Sequence, residues 1–294
     1  MSRRGLLLFG TVAVLWGVPY LFIAEALDAG VGPVMLAGTR IGVGMLVLLA
    51  VTGRATWRLL GERPGRITVL GLAEVAVPFT LISVGETSVD SATAGVLIAL
   101  VPLFSLAWTA LLVRARQPWL RAAGGSLVGL LGVLALLGAP GGGPGAWLIV
   151  AAALCYGLGA VIVGHWFADT PPLPVAAGTL VVAAPVTVAA GLLVDGPPPL
   201  HLPAAVPLGV LGVACTAGGL AAFYALIGEV GSHGATLITY AAPLVALTAG
   251  VLVRDEPLTW LTLTGTALIL GGAWIVLHRP RTRRSRTRRP RSAV

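Results

Sequence analysis

Two stretches of this chain decide its fold: LLVRARQPWL at Leu111–Leu120 and LVRDEPLTWL at Leu252–Leu261. Each follows an apolar segment, and these segments carry ALVPLF at 99–104 and YAAPLV at 240–245. The second half of the sequence is therefore a copy of the first, shifted by about 140 residues. The matched pairs that lie 141 positions apart are Pro102 and Pro243, Trp119 and Trp260, and Gly124 and Gly265.

The composition of the chain is that of a membrane protein. Apolar residues make up 57% of the 294 residues and charged residues only 10%, against roughly 45–50% and about 25% in an ordinary soluble domain. The mean hydropathy is +0.95. Because so few charges could not solvate a soluble surface of this size, the sequence predicts an all-α polytopic membrane protein.

Apolar segments bounded by Gly, Pro or charged residues divide the chain into units. Ten of them have the roughly 20 residues needed to cross a bilayer, so we predict ten transmembrane helices as two inverted five-helix repeats. The topology is inverted because five spans per half is an odd number. The predicted spans are 6–26, 33–52, 67–85, 92–113, 121–138, 146–167, 174–194, 203–227, 234–253 and 259–277. The predicted units are a first repeat over 1–138, a Gly/Pro linker over 139–145, a second repeat over 146–278 and an Arg-rich disordered cytoplasmic tail over 279–294.

The arginines predict the orientation of the chain in the membrane. All 19 basic residues are arginines, and eight of them lie in 279–291. Since cytoplasmic loops carry an excess of basic residues, we place both termini and the loops around 54–66 and 114–121 in the cytoplasm. Asp255 and Glu256, in the repeat counterpart of the basic loop, are then outside. The tail is interpreted as an anchor attracted to anionic lipid and not as a nucleic-acid site, because it has no aromatic residues.

Four stretches of the chain are similar to those of a known family. They are AVLWGVPYLF at Ala13–Phe22, the segments Pro33–Leu49 and Ser91–Val113, and the long segment Ala221–Leu277. With these stretches the chain resembles the EamA-type ten-helix transporters of the drug/metabolite transporter superfamily. The resemblance covers nearly the whole chain, from about residue 6 to residue 277, and Glu256 matches an acidic position of the family that is Ala115 in the first half.

This resemblance implies a secondary transporter of a small metabolite or drug-like solute in a bacterial inner membrane, commonly working by efflux. It also implies that the substrate path lies between the two halves and that the halves rock to give alternating access. A proton as coupling ion and a homodimer are left open. No particular solute is implied, because members of the family handle amino acids, nucleobases, sugar phosphates and toxic cations.

Two charged residues fall inside predicted helices. Arg40 lies seven residues into helix 2, about 10 Å from the outer surface, and its repeat counterpart is Leu180. A buried guanidinium is costly unless it faces a cavity, an acid or an anionic substrate. Glu74 lies about 10 Å deep from the cytoplasmic side, and it either neutralises Arg40 or couples proton uptake to substrate exit. Substrate binding and a structural ion pair therefore both remain open.

Aromatic residues and prolines supply the rest of a candidate site. A tyrosine or tryptophan offers an apolar face with one polar atom, which suits stacking on a ring or covering a cation, although membrane packing or interfacial anchoring is the more common role of such a residue. A proline inside a helix frees a carbonyl and kinks the helix, so Pro102 and Pro243 are candidate hinges. The candidate substrate-binding aromatic residues are Trp16, Tyr20, Tyr156, Tyr224 and Tyr240.

The sequence carries no recognisable enzyme constellation. The four histidines are far apart, and Cys155 and Cys215 lie in apolar stretches where we interpret them as core residues. We therefore expect no catalytic residues, no cofactor and no metal. Two alternatives stay open: an integral-membrane enzyme that acts on lipid, and a non-transporting membrane scaffold that uses the Arg tail.

Overall fold

A computed structural model describes residues 1–113, 119–139, 142–235 and 237–277 of the chain. The predicted tail over 279–294 and most of the basic loop 114–121 lie outside these ranges, as does part of the predicted linker. The expectations about these segments therefore remain predictions.

The described residues fold into helices, with seven long apolar helices and three shorter ones. The seven are long and apolar enough to cross a membrane, which makes the chain a polytopic membrane protein. The long helices are α1 Arg3–Asp28, α2 Pro33–Glu62, α3 Pro64–Gly85, α4 Ser91–Val113, α6 Ala146–Trp166, α7 Pro172–Val194 and α8 Leu202–Gly231. The shorter helices are α5 Trp119–Leu137, α9 Ile238–Arg254 and α10 Trp260–Leu277.

Most helix boundaries lie within about three residues of the predicted spans. The exceptions are the end of α8 at Gly231, where the predicted span ends at 227, the start of α9 at Ile238, where it starts at 234, and the end of α2. The predicted span of α2 stops at residue 52, whereas the helix continues to Glu62 after a break at Gly53, whose φ of 33° lies outside the helical region. The segment after the break buries Thr56 and Leu59 and exposes Trp57. This alternation is typical of a helix that lies along a surface with one apolar face.

Helices of one half pack mainly against helices of the other. α2 lies against α7, and α5 lies against α10. α1 packs on α8 and α9, while α6 packs on α3 and α4. Helix contact is close where glycine replaces a side chain: a Cβ at Gly38 would come within 2.9 Å of the Val188 backbone, and one at Gly191 within 2.6 Å of the Met35 backbone. Such small-residue contacts are the usual way that helices associate in lipid.

The outer surface of the bundle is apolar. Leu46, Leu193 and Trp260 expose 64%, 87% and 84% of their surfaces. Because a water-soluble protein rarely leaves such a surface open, these side chains face lipid.

The two ends of the bundle carry different charges. We call the end that holds Asp28, Glu86, Asp90, Asp195 and Glu256 the acidic end, and the opposite end, where α1 begins and α2 stops, the basic end. At the basic end Arg63 donates hydrogen bonds to the Trp166 carbonyl at 2.8 Å and to Asp169 at 3.1 Å. The hydrogen bonds from Arg63 lower the pKa of the Asp169 carboxyl below its usual range.

Candidate functional site

Arg40 is buried in α2 at the contact between the two halves. Its side chain is only 7% exposed, and its Nε atom donates a hydrogen bond to Oγ1 of Thr216 in α8 at 3.0 Å. The guanidinium carbon lies 4.3 Å from the centre of the Phe79 ring in α3, which is a cation–π contact. Within the described residues Arg40 has no ion pair, so the other four N–H donors of its guanidinium are available to a solute.

The local structure of α8 positions Thr216 for this contact. Residues Val210–Gly218 form a π-helical segment, in which the Thr216 hydroxyl donates to the Leu211 carbonyl at 2.8 Å. That donation turns the oxygen lone pairs toward Arg40. Gly44 of α2 lies so close to Thr216 that a Cβ at position 44 would be 2.9 Å from the Thr216 methyl group. Segments of π-helix are frequent at functional sites.

Glu74 lies in a second π-helical segment, Leu72–Ala76 of α3. Its side chain packs on Gly159 of α6, where a Cβ would come within 2.8 Å of the Glu74 Cβ and Cγ atoms. Its side chain lies near those of Tyr156 and Tyr224. Across the described part of the chain no ion pair joins Glu74 to Arg40, and Arg40 instead contacts Thr216.

Three of the candidate aromatic residues lie near these charges. The Tyr156 ring meets the Phe79 ring edge to face, with the ring centres 6.3 Å apart. Tyr20 of α1 is buried near Tyr156 and Arg40. Tyr224 of α8 packs against the core cluster that also contacts Phe79. The structure thus brings Arg40 together with Tyr20, Tyr156 and Phe79, and Glu74 together with Tyr156 and Tyr224.

The remaining two aromatic candidates differ in their surroundings. Trp16 lies against Phe223, with ring centres 4.5 Å apart, and Gly219 leaves room for its indole nitrogen. Tyr240 of α9 is half-buried against the same core cluster as Tyr20 and Tyr156, and its hydroxyl has no hydrogen-bond partner in the part of the chain that the structure describes.

The two hinge candidates differ in their local structure. In α4 a 3₁₀ turn at Ile98–Leu100 precedes Pro102, which stands near the start of the segment Val101–Trp108. Pro243 lies inside α9. The break in α4 is the kind of irregularity that a proline imposes, since its ring removes one helical hydrogen bond.

Acidic side chains from one half cap helices of the other at the acidic end. Asp195 accepts hydrogen bonds from the backbone N–H groups of Val34 and Met35, at 2.7 Å and 2.8 Å, where α2 begins. Glu256 accepts from the backbone N–H groups of Ser91 and Ala92, at 2.9 Å and 2.8 Å, where α4 begins. These carboxylates neutralise the positive ends of two helix dipoles and tie the two halves together.

Arg254 adds ion pairs at the same end, and Glu86 lies beside it. Arg254 contacts Glu25 at 3.0 Å and Asp28 at 2.9 Å. Glu86, directly after α3, is 7% exposed, and within the described ranges neither of its carboxylate oxygens has a hydrogen-bond partner. Burial raises the pKa of the Glu86 carboxyl well above its usual range, while Arg40 opposes that shift.

In the residues that the structure describes, no group of three or more His, Cys, Asp or Glu side chains is placed to hold a metal ion. Cys215 is buried and Cys155 is half-buried, and both are free.

The sequence matches the EamA-like transporter family twice, over residues 3–138 and again over 143–278. The chain belongs to the EamA-like transporter family. It is similar to an uncharacterized inner membrane transporter of Escherichia coli K12, YedA, with 30% identity over 89% of this chain and 88% of the relative. It is also 27% identical to a probable terminal-alkyne amino-acid exporter of Streptantibioticus cattleyicolor, over 94% of each chain. A solved crystal structure shares the fold, with a TM-score of 0.65, 23% identity and coverage of 94% of this chain and 96% of the other.

Three residues of this EamA-like transporter's candidate site escaped the sequence analysis. Thr216 and Phe79 contact Arg40 although they are far from it in sequence, and neither residue type stands out inside an apolar helix. Glu86 directly follows the predicted span 67–85, and the sequence analysis predicted no role for it. The one sequence signal for it is its position immediately after Gly85, where a small residue lets the loop pack against α6.

Proposed function

We propose that this EamA-like transporter is a secondary transporter that exports a small organic solute with an anionic group. The solute passes between two inverted five-helix repeats by alternating access. The observation that carries the proposal is Arg40, a buried guanidinium that is held by Thr216 of the other half and has no carboxylate partner among the described residues.

The free donors of Arg40 indicate the kind of solute. A buried charge without a partner is costly, and a carboxylate or phosphate on a solute would compensate it with two parallel hydrogen bonds. The Phe79 and Tyr156 rings beside the guanidinium offer apolar faces for the rest of the solute. A relative that is named a probable amino-acid exporter supports a small polar substrate.

The packing pattern supports inverted repeats. In such repeats α1 is equivalent to α6, α2 to α7, and so on. If equivalent helices are exchanged, the contacts of α1 with α8 and α9 become the observed contacts of α6 with α3 and α4. The α2–α7 and α5–α10 contacts are unchanged by the exchange. The two equivalent helices also start at opposite ends. α1 starts at the basic end, where Ser2 binds Glu229, whereas the start of α6 is bonded to Ser88 at the acidic end, since Gly145 donates to the Ser88 hydroxyl at 3.0 Å.

Contacts between the halves at both ends suit a rocking motion. The acidic end is held by the Asp195 and Glu256 caps and by Arg254, and the basic end by Arg63. Opening one end requires only that its own polar contacts exchange for water. The two π-helical segments and the break before Pro102 are places where helices can bend around the site.

The orientation that we propose places the basic end in the cytoplasm of a bacterial cell, with the protein in the inner membrane. Arg54, Arg58, Arg63 and Arg66 lie at that end, as the positive-inside rule requires. One relative is named an inner membrane transporter and another an exporter, which supports efflux toward the acidic end and favours transport over lipid chemistry.

Glu74 is the proposed proton-coupling group of this transporter. It is the carboxyl group that lies against α6 near two tyrosine hydroxyls, without an ion pair in the described part of the chain. An acid inside a transporter helix commonly marks a proton path. A Glu74→Gln variant should therefore retain solute binding but lose the dependence of flux on a pH gradient.

Proteoliposomes test the proposed function directly. Wild-type protein is reconstituted, a pH gradient is imposed, and uptake and release are screened over amino acids, nucleobases, other organic anions and cationic drugs. We expect flux above that of protein-free liposomes for an organic acid or zwitterion, and loss of that flux in Arg40→Ala. If Arg40→Ala moves every transported solute at the wild-type rate, Arg40 is structural.

A further inference from the structure

A cavity of about 540 Å³ opens at the acidic end, between the end of α1, the loop from α3 to α4 and the end of α9. Its volume is that of an ordinary small-molecule pocket. Four carboxylates and one guanidinium line it, so its formal charge is strongly negative. These residues are Asp28, Glu86, Asp90, Glu256 and Arg254.

Two of these four carboxylates already have partners. Asp28 pairs with Arg254, and Glu256 accepts hydrogen bonds from the start of α4. Glu86 differs, because it is more than nine-tenths buried and both of its oxygens lack a hydrogen-bond partner in the described residues. A native protein seldom buries a carboxyl group unsatisfied, so this one requires an explanation.

The charged and titratable groups around Glu86 come from every neighbouring element. These groups are Tyr20 of α1, Arg40 of α2, Arg254 at the end of α9 and Glu256 just after that helix. Asp90 of the same loop also lines the cavity, and burial raises the pKa of its carboxyl. None of the described bases lies within ion-pair distance of Glu86. Without a ligand, its carboxyl is best accommodated in the neutral, protonated form.

We propose that this acidic-end cavity binds an organic ammonium group, and that Glu86 releases its proton when the cation arrives. The O–H bond of the Glu86 carboxyl breaks, the proton passes to solvent at the acidic end, and the ammonium group takes its place beside the carboxylate. The charge of the cavity is thereby unchanged. Asp90 and Glu256 add further attraction for the same cation.

This inference deepens the proposed function and rests on it only in assuming that the solute crosses this cavity. The site at Arg40 takes an anionic group, whereas the site at Glu86 takes a cationic one. Solutes that carry both groups can engage the two sites in turn, and solutes with an amine alone can use the Glu86 site without Arg40.

Calorimetric binding to the purified full chain in detergent micelles tests the inference without any measurement of transport. The probe is phenethylammonium, and its neutral isostere is 2-phenylethanol. Titrations at about pH 5.5 and about pH 8, each in two buffers of different ionisation enthalpy, report both affinity and proton release. We expect binding about tenfold tighter at the higher pH, because fewer protons then compete for the carboxyl. At the lower pH we expect up to about one proton released per cation bound.

The variants locate the effect on Glu86. Glu86→Gln should bind phenethylammonium about tenfold less tightly and lose both the pH dependence and the proton release. Glu62→Gln removes the same charge from an exposed position at the other end and should bind as the wild type does. If Glu86→Gln does not fold, Asp90→Asn replaces it, and a severalfold weaker affinity is expected.

Three results would overturn the inference. These are wild-type affinity and pH dependence in Glu86→Gln, equal affinity for the cation and the alcohol, or no binding of the cation at all. Each is distinct from failure of the proposed function. A protein that binds the cation with proton release but transports no solute refutes the transport mechanism and leaves the cation site standing.

Discussion

The Nε atom of Arg40 lies 3.0 Å from the Oγ1 atom of Thr216, so a hydroxyl of one half of the chain holds the buried cation of the other. The contact crosses the boundary along which we propose that the two halves move. A change in their relative position would therefore reorient the guanidinium. This relationship makes Thr216 a positioning residue, whose effect on transport we expect to pass through Arg40.

Replacing Thr216 with valine tests that role. The change keeps the shape of the side chain but removes the acceptor, so the Arg40 Nε–H is left without a partner. We expect a severalfold higher KM for the transported solute and a loss of about 1 kcal/mol in stability. Flux kinetics and thermal unfolding measure the two effects. Thr216→Ser retains the hydroxyl and should restore the wild-type KM; identical behaviour of the two variants would argue against the role.

Gly159 provides a test of how Glu74 is placed. A methyl group at position 159 would lie 2.8 Å from the Glu74 side chain, so Gly159→Ala should displace it. Such overpacking typically costs about 1–3 kcal/mol and should reduce proton-driven flux. Gly164→Ala, in the same helix, is the matched control, because a Cβ at position 164 would meet nothing within 4 Å. Equal flux and melting temperature in the two variants would show that Glu74 tolerates the displacement.

Glu256 should stabilise the protein through the start of α4. Glu256→Gln removes the negative charge that faces two backbone N–H groups, and we expect a loss of about 1 kcal/mol. Thermal unfolding in micelles measures it. Asp255→Asn is the control, because it removes the neighbouring charge. Asp255 has a left-handed backbone conformation, with φ of 53°, which asparagine also adopts readily. The account fails here if Asp255→Asn destabilises the protein as much as Glu256→Gln does.

The raised pKa of Glu86 predicts that the stability of the protein depends on pH. Its pKa is raised in the folded protein, so its contribution to stability is complete below the unfolded pKa of about 4.3 and declines as the pH rises through the folded value. The melting temperature of the wild type should therefore fall relative to that of Glu86→Gln between about pH 5 and about pH 8. Glu62→Gln, an exposed control, should follow the wild type. A constant difference between wild type and Glu86→Gln at all pH values would contradict the raised pKa.

Much of the architecture could be predicted from the sequence because lipid imposes a simple rule on it. Each apolar segment of about 20 residues must be a helix, since no water is present to satisfy the backbone. The family was predicted correctly from the repeated stretches. The end of α2 was not predicted correctly, because the segment after Gly53 is amphipathic and lacks the continuous apolar run on which the prediction relied.

The candidate site was harder to predict than the helices. Arg40 and Glu74 stand out as charges in apolar helices, but their partners depend on how the helices are rotated and paired. The contact of Arg40 with Thr216 requires the π-helical segment of α8, and the burial of Glu86 requires the loop to fold inward. Neither feature has a signature in residue spacing, which reports the period of a helix and not its neighbours.

The most direct test of the central claim, that solute crosses the bilayer at Arg40, compares flux through Arg40→Gln and Arg58→Gln. Both variants lose one arginine charge, but Arg58 lies on an exposed surface, and its one ion pair among the described residues is with its helical neighbour Glu62. In proteoliposomes that carry a solute transported by the wild type, Arg40→Gln should lose most of its flux while Arg58→Gln retains it. Wild-type flux in Arg40→Gln, at equal reconstituted amount and unchanged KM, would contradict the account.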